Sequence, residues 1–481
     1  MEDNLTQTAA SLFTEFLKTN ENIIKSHQGQ SLLSFIFPAE KIDLYPRING
    51  LRKKQKVLFY SEKPAEGKFF LGINSILTLT EKGEKRFSSL EKKLKELREN
   101  FISNRREFES ISFPLLMGGM KFTVEHSDED WKDFDDSEWF VPEIIFLKDG
   151  GKYYFVFNSF TSPKIKIDSL SARLEYVLKL FYPEINGEEP AKLRILKKIG
   201  DQPKDKKKWK NQVNSLLEKI EDKALQKVVL SRKVELVFTT DISIEPILKN
   251  LVTNYPECTL FLFHIGKSSF IGASPETLAK INGSEMILEV LAGSADRGGS
   301  SDEDMNIEND LLSSKKNLNE HEIVINYIND CLSKSVEDMV ISDPSVKKLQ
   351  NIQHLKSTIK LNLNEHNTFI NVIGKIHPTP AVCGSPADAA LNLIKKTETH
   401  QRGLYAGLIG WLNLHNQGEV VLAIRSALTS GNKLIAYAGC GIVNGSNPDD
   451  EYRETELKLK PFLSIFNNEN LPEYLLDRKL F

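Results

Sequence analysis

Three apolar segments follow one another closely late in the chain: AGLIGWLNL (406–414), GEVVLAIRSAL (418–428) and NKLIAYAGC (432–440). Each is long enough for a strand, and three residues separate each from the next. Links that short turn a strand back on its neighbour, whereas parallel neighbours need crossovers of about a dozen residues or more. The three segments therefore read as a meander. The nucleotide-binding signature GxGxxG is absent as well. The expectation is an α+β chain with mostly antiparallel sheets and helices packed on them in a layered α/β sandwich, not a doubly wound parallel sheet.

At 481 residues the chain is long enough for one large domain or two closely packed ones. Residues 1–183 read as a scaffold region packed on the core. Leu5, Leu12, Phe13, Phe16 and Leu17 mark an opening amphipathic helix, and Phe87, Leu90, Leu94, Leu97 and Phe101 mark a long surface helix. KVLFY (56–60), EIIFL (143–147) and KYYFVF (152–157) are strand-like runs bounded by turn residues. Residues 184–208, polar and carrying two prolines, read as a connecting segment whose lysines 206–208 form a solvated face. A helix marked by Trp209, Val213, Leu216, Leu217 and Ile220 opens the catalytic region, 209–466, and 467–481 reads as a tail.

With 63 Lys+Arg against 66 Asp+Glu, the formal net charge of −3 leaves no electrostatic footprint for nucleic acid. The start, MEDNLTQTAASLF, is acidic and no long apolar run follows, so a cytoplasmic chain with no membrane association is expected. Cys258, Cys331, Cys383 and Cys440 form no CxxC pair, which fits reduced thiols and not zinc or disulfides.

Several residues carry possible chemistry, each beside a plainer reading. Lys227 opens KVVLSR; it either runs its ammonium out to water or, when buried, serves as a general base. Glu276 in GASPETL fits a helix start, with Ser as cap and Pro in the first turn, or an enclosed proton donor. Glu320 in NEHEIV, and Glu451, Glu454 and Lys458 in DDEYRETELK, could be surface charge. Alternatively, two carboxylates from separate helices would suit a hard cation. In AGCGIVNGSNP, glycines 439, 441 and 445 surround a turn where backbone N–H groups could approach an anion.

Taken in order, KVVLSR, FIGASPETL, LAGSADRG, NEHEIV, IQHL, HPTPAVCGSP, GLYAGLIGW, AIRSAL, AGCGIVNGSNP and EYRETELK resemble the chorismate-binding enzyme family over about residues 209–466. MGGMKF (117–122) and WFVPE (139–143) extend the likeness more loosely. The family includes isochorismate synthases, salicylate synthases and the large subunits of anthranilate and aminodeoxychorismate synthases. The resemblance implies a fold like anthranilate synthase component I. It makes Lys227 the base acting on water and Glu276 the acid protonating the departing hydroxyl, with Glu320 and Glu454 as ligands of Mg²⁺. Gly293, Ser294, His354, Ala381, Tyr405, Arg425, Gly439, Gly441 and Lys458 become the substrate-binding set, and His377 begins a loop beside the site.

Within the family, Lys227 resembles the water-using branch, and no LLES-type segment like that of anthranilate synthases is found. Ala381, where salicylate synthases tend to carry threonine, implies a reaction that stops at isochorismate. The long first half and the form AGSADRG resemble menaquinone-pathway enzymes more than siderophore ones. A siderophore-pathway isochorismate synthase, a salicylate synthase and a non-catalytic chorismate-binding paralogue are the alternatives. No obligatory protein partner is expected.

Overall fold

Period-two patterning builds the sheets. In the strand Val57–Lys63, Leu58 and Tyr60 enter one hydrophobic core and Phe59 the other; in Thr259–Ile265, Leu260 and Leu262 oppose Phe261 and Phe263 in the same way. Strands buried on both faces in this manner need cover on both sides. The computed structural model, which describes residues 2–27, 29–108, 111–124, 128–164, 167–182 and 193–466, supplies it with a second sheet on one face and helices on the other. The expected tail 467–481 and the beginning of the expected connection, to residue 192, lie outside the described residues.

Among the described residues one sheet has 13 strands and the other 10. Every described strand pair is antiparallel except Ser31–Ala39 with Phe101–Ser103. The α+β architecture expected from the meander is therefore the observed one. One core fills the space between the sheets, with Phe59, Val228, Phe261 and Phe270 from the larger and Leu278, Leu288, Leu408 and Val420 from the smaller; it continues beneath helices Lys315–Leu332 and Phe369–Ile376. The other lies on the outer face of the larger sheet under helices Glu2–Thr19, Ile167–Lys179, Ile244–Asn254 and Pro448–Leu463.

Both halves of the sequence contribute to each sheet. Strand Leu116–Met120 pairs with Leu408–Leu412, and Val57–Lys63 pairs with Thr259–Ile265. Within 184–208 the chain is partly regular: Ile195–Ile199 is an edge strand beside Lys227–Phe238, and the helix begins at Pro203, six residues before Trp209. Pro203 sits in its first turn and the Gln202 N–H donates to the Asp205 carboxylate at 2.9 Å, a start that the exposed lysines 206–208 obscure because they bring no apolar residue. The helix around Leu90 spans Arg86–Glu99, leaving Phe101 to a strand.

Two further expectations are corrected at places where the chain passes from one sheet to the other. Ser–Pro–Glu starts no helix. Strand Ser268–Ser274 belongs to the larger sheet and Thr277–Asn282 to the smaller, with Pro275 and Glu276 bridging them. Before the crossing Phe270 and Ile271 face opposite cores, after it Leu278, Ala279 and Ile281 enter the inner one, and that burial overrides the local capping preference. Likewise GEVVLAIRSAL is not one strand of a single meander. Gln417–Leu422 pairs with Leu408–Leu412 in the smaller sheet, and Ser426–Ser430 pairs with Lys433–Val443 in the larger. The two crossings are laced together: Leu422 N–H donates to Glu276 O at 3.1 Å, and Ala273 N–H to Arg425 O at 3.0 Å.

Candidate active site

A cavity of about 660 Å³ opens where the two sheets part at these crossings. Glu276, Gly293, Ser294, Glu320, His354, Ala381, Tyr405, Arg425, Gly439, Gly441, Glu454 and Lys458 all line it. Of the residues expected to act on, bind or coordinate at the site, Lys227 is the one that does not line it and stands behind the wall. It is 1% exposed and its Nζ lies 2.8 Å from Glu320 Oε1. Gly441, which lines the cavity, lies directly against it: a Cβ there would lie 2.8 Å from Lys227 Cε and overlap Glu320 Oε1.

The backbone is unusual where the lining is densest. Arg425 and Ala406, both non-glycine, adopt φ of +50° and +59°, a region such residues enter only when their surroundings dictate it. Gly293 has φ +84° inside a register shift between Leu291 and Ser294, a bulge that carries Ser294 to the cavity. Gly439 and Gly441 do not surround the turn as expected. They lie within strand Lys433–Val443, opposite Ser231 and Val229, and only Gly445 is in the turn. Their missing side chains instead admit Tyr405 near Gly439, and Glu320 and Lys227 near Gly441.

The polar groups form an ordered chain. Arg425 can only donate, so its 2.8 Å contact makes His354 Nε2 an acceptor and leaves the proton on Nδ1. Nδ1 then donates to Ser294 Oγ at 2.9 Å, and Ser294 donates to Glu454 Oε1 at 3.3 Å. Burial, with Arg425 and Lys458 adding to it, holds the His354 pKa well below its ordinary value, so the ring is neutral as this chain requires. Lys458 donates to Glu454 Oε1 at 2.5 Å and to Gly439 O at 3.0 Å. Burial pushes the Glu454 carboxyl up, but Lys458, Lys316 and Arg425 outweigh it and keep it ionised.

Glu276 behaves oppositely. Burial, with the charge of Glu289 helping, raises its pKa to about 8 against a Leu291 backbone hydrogen bond and the ammonium groups of Lys227 and Lys347. Near neutral pH it carries a proton that it can give away.

A neighbouring cavity of about 710 Å³ shares Ser294, Glu320, Gly441 and Glu454 with the first and adds Asp296, Asp450 and Glu451. Burial and the nearby Glu454 charge raise the Glu451 pKa, and Lys316 meets its carboxyl at 2.8 Å. Among the described residues no group of three or more His, Cys, Asp or Glu gathers as a ready metal cage. Glu320 and Glu454 nonetheless offer hard oxygen donors at the junction of two cavities. That donor set suits a cation that keeps several waters and takes the rest of its ligands from substrate.

Sequence reasoning missed Arg402. Its guanidinium lines the cavity, meets Glu398 at 2.9 and 2.6 Å, and donates to Val382 O (2.7 Å) and Val229 O (2.8 Å). It thereby ties the loop carrying Ala381 to the strand that Lys227 begins. The i, i+4 spacing of Glu398 and Arg402 was the available signal. His377, expected beside the site, does not line it. It is buried against the Phe87 and Phe122 rings, and burial with nearby Arg86 lowers its pKa to about 3. The four cysteines are free, with Cys331 half-buried and the others buried.

A buried proton donor at the wall of a cavity that Arg425 and Lys458 also line, with the amine of Lys227 directly behind that wall, is the arrangement of an enzyme site. A model of the family described as chorismate binding enzyme matches residues 15–467, and the chain belongs to that family. It is 33% identical over 359 residues to the isochorismate synthase MenF of Bacillus subtilis, covering 74% of this chain and 75% of that one. It is 30% identical over 431 residues to the salicylate biosynthesis isochorismate synthase of Pseudomonas aeruginosa, covering 89% and 88%. Among solved structures, the menaquinone-specific isochorismate synthase MenF of Escherichia coli shares the fold with a TM-score of 0.74 at 22% identity, covering 94% of this chain and 98% of that one. Anthranilate synthase component I of Streptococcus pneumoniae shares it with a TM-score of 0.67 at 22% identity, covering 82% and 91%. No helix among the described residues is long and apolar enough to cross a membrane.

Proposed function

We propose that the protein is an isochorismate synthase, converting chorismate to isochorismate with the help of Mg²⁺. The observation that carries this reading is Glu276, a buried carboxyl holding its proton up to about pH 8 at the wall of the cavity. Glu320 and Glu454 would hold the cation, which when bound compensates substrate carboxylate charge and fixes orientation. Arg425 and Lys458 bind the substrate's carboxylates as charge-assisted donors, with Tyr405 and the backbone near Gly439 completing the walls.

Lys227 is the base on water and Glu276 the acid on the leaving group. The water oxygen bonds to C2 as Lys227 takes its proton. The two ring double bonds shift by one position each, and the C4–O bond breaks as Glu276 protonates that oxygen. One water enters and one leaves, so no oxidant or reductant is needed. Lys227 must first be neutral. Its Nζ meets the Glu320 carboxylate at 2.8 Å, so the proposed base and a proposed ligand of the cation are in direct contact. Each proton transfer contributes on the order of 10²–10⁴-fold.

The 33% likeness to the isochorismate synthase MenF of Bacillus subtilis, which shares its name with the menaquinone-specific enzyme of Escherichia coli, supports a place in menaquinone synthesis. The 30% likeness to the Pseudomonas aeruginosa enzyme favours salicylate supply as the second reading. Incubation with chorismate, resolved by chromatography, tests the reaction: isochorismate is the expected main product, and salicylate with equimolar pyruvate would transfer the protein to another branch. Deleting the gene and measuring quinones tests the pathway; unchanged menaquinone would discard the first assignment.

A further inference from the structure

Glu276 stands at a crossing between sheets and lacks the continuous ladder that fixes a strand residue. Its backbone is held from two sides instead. On one, Ser274 Oγ accepts from the Glu276 N–H at 3.2 Å and donates to Leu422 O at 2.6 Å. On the other stands a charged pair that the reaction described above does not use. Lys347, in strand Ser345–Lys348, donates from Nζ to Pro275 O at 2.5 Å and lies 3.5 Å from Glu289 Oε2. Glu289, in strand Glu285–Ala295, accepts from Lys356 Nζ at 2.6 Å, and the Thr277 backbone N–H beside it helps keep its carboxyl ionised. Lys347 thus grips the peptide group immediately before Glu276, and its partner Glu289 stands beside the one immediately after.

The strand Gln353–Leu363 sets this arrangement, since Lys347 stands opposite its His354 and Glu289 opposite its Thr358. Lys347 and Glu289 are each only 19% exposed. A surface ion pair contributes little, but a largely buried pair whose donors and acceptors are spent on backbone groups restricts where those groups can move.

We propose that Glu289 and Lys347 are positioning residues that fix both peptides flanking Glu276 and so hold its carboxyl at the cavity wall. The inference rests on the reading of Glu276 as the proton donor to the departing hydroxyl. The charges facing that carboxyl are Glu289, Lys347 and Lys227. Glu289→Gln keeps the shape and an acceptor for Thr277 but leaves Lys347 and Lys356 uncompensated, so Glu276 should release its proton at lower pH. Lys347→Met removes a nearby cation together with the hold on Pro275 O, so release should move to higher pH.

Difference infrared titration of the Glu276 carboxyl in the full chain, using Glu276→Gln to assign the band, reads these midpoints without turnover; kcat and KM for chorismate are measured in parallel. The midpoint should fall by roughly 0.5–1 unit in Glu289→Gln and rise by a similar amount in Lys347→Met. In Lys347→Met kcat should drop ~10-fold or more while KM stays within about twofold, and Lys347→Arg, which can still donate to Pro275 O, should recover most of it. Midpoints that stay put or move together, or an unchanged kcat in Lys347→Met, would overturn the proposal. Should Lys347→Met not fold, Glu289→Gln decides alone: an unmoved midpoint refutes and a lowered one supports. Midpoints that move as stated in a parent enzyme that leaves chorismate untouched would sink the assigned reaction and keep the positioning pair.

Discussion

A carboxyl kept neutral for catalysis should weaken the fold, and Glu276→Gln exposes by how much. The ordinary glutamate value is 4.5 and burial raises Glu276 to about 8. Between those values the unfolded chain has released a proton that the folded one retains. Stability from this group is therefore full below about pH 4.5 and is lost progressively as pH rises to about 8, after which the loss is constant. At about 1.4 kcal/mol per pH unit, less the rounding near the two end values, the wild type should lose about 3–4 kcal/mol relative to Glu276→Gln between pH 5 and pH 8. Glutamine matches the volume and the neutral charge of the folded group, so the variant lacks this term. Urea unfolding of both proteins across that range isolates it, because every other carboxyl titrates in both. The same variant should lose ~10²–10⁴-fold in kcat with little change in KM. A stability difference flat within about 1 kcal/mol across the range would refute the placement of a buried neutral carboxyl at 276.

Other variants separate the remaining roles. Lys227→Met should keep the far-ultraviolet dichroism of the parent and lose at least ~10²-fold in kcat with KM within a few-fold; near-parental kcat would make the lysine structural. Arg425→Ala should raise KM for chorismate by ~10-fold or more, because it removes a charged carboxylate donor together with the support of His354, and an unchanged KM would contradict that contact. Gly441→Ala places a methyl between Glu320 and Lys227, so kcat should fall while the thermal midpoint stays within a few degrees. Removal of divalent ions should abolish turnover, with Mg²⁺ restoring it and Ca²⁺ restoring much less; full rate in a metal-stripped sample would discard Glu320 and Glu454 as ligands.

The sheets were legible where patterning is local. KVLFY, EIIFL and KYYFVF alternate toward two cores, and their strands stand where that alternation puts them. The crossings were not legible. Ser274–Pro275–Glu276 is locally a good helix start, and nothing in LAIRS marks a departure from one sheet to the other, since the left-handed residue there is an arginine and not a glycine. The pairing of Leu116–Met120 with Leu408–Leu412 joins segments too far apart for any window to connect. The cavity lining was legible through the ordered motifs of the family. What each glycine does was not: Gly439 and Gly441 signal close approach, but of side chains to a strand, which only the register of Lys433–Val443 on Lys227–Phe238 determines. Arg402 escaped because only its contacts to Glu398 are local, while its two backbone partners, Val382 O and Val229 O, come from distant segments.

Turnover of chorismate in heavy-oxygen water, followed by chromatography with mass detection, reaches the chemistry most directly. Water addition at C2 with expulsion of the C4 hydroxyl predicts isochorismate carrying one heavy oxygen at C2, with the enolpyruvyl and carboxylate oxygens unlabelled. Isochorismate formed without label would contradict Lys227 as the base on water, and an aminated product or unchanged chorismate would contradict the proposed reaction itself.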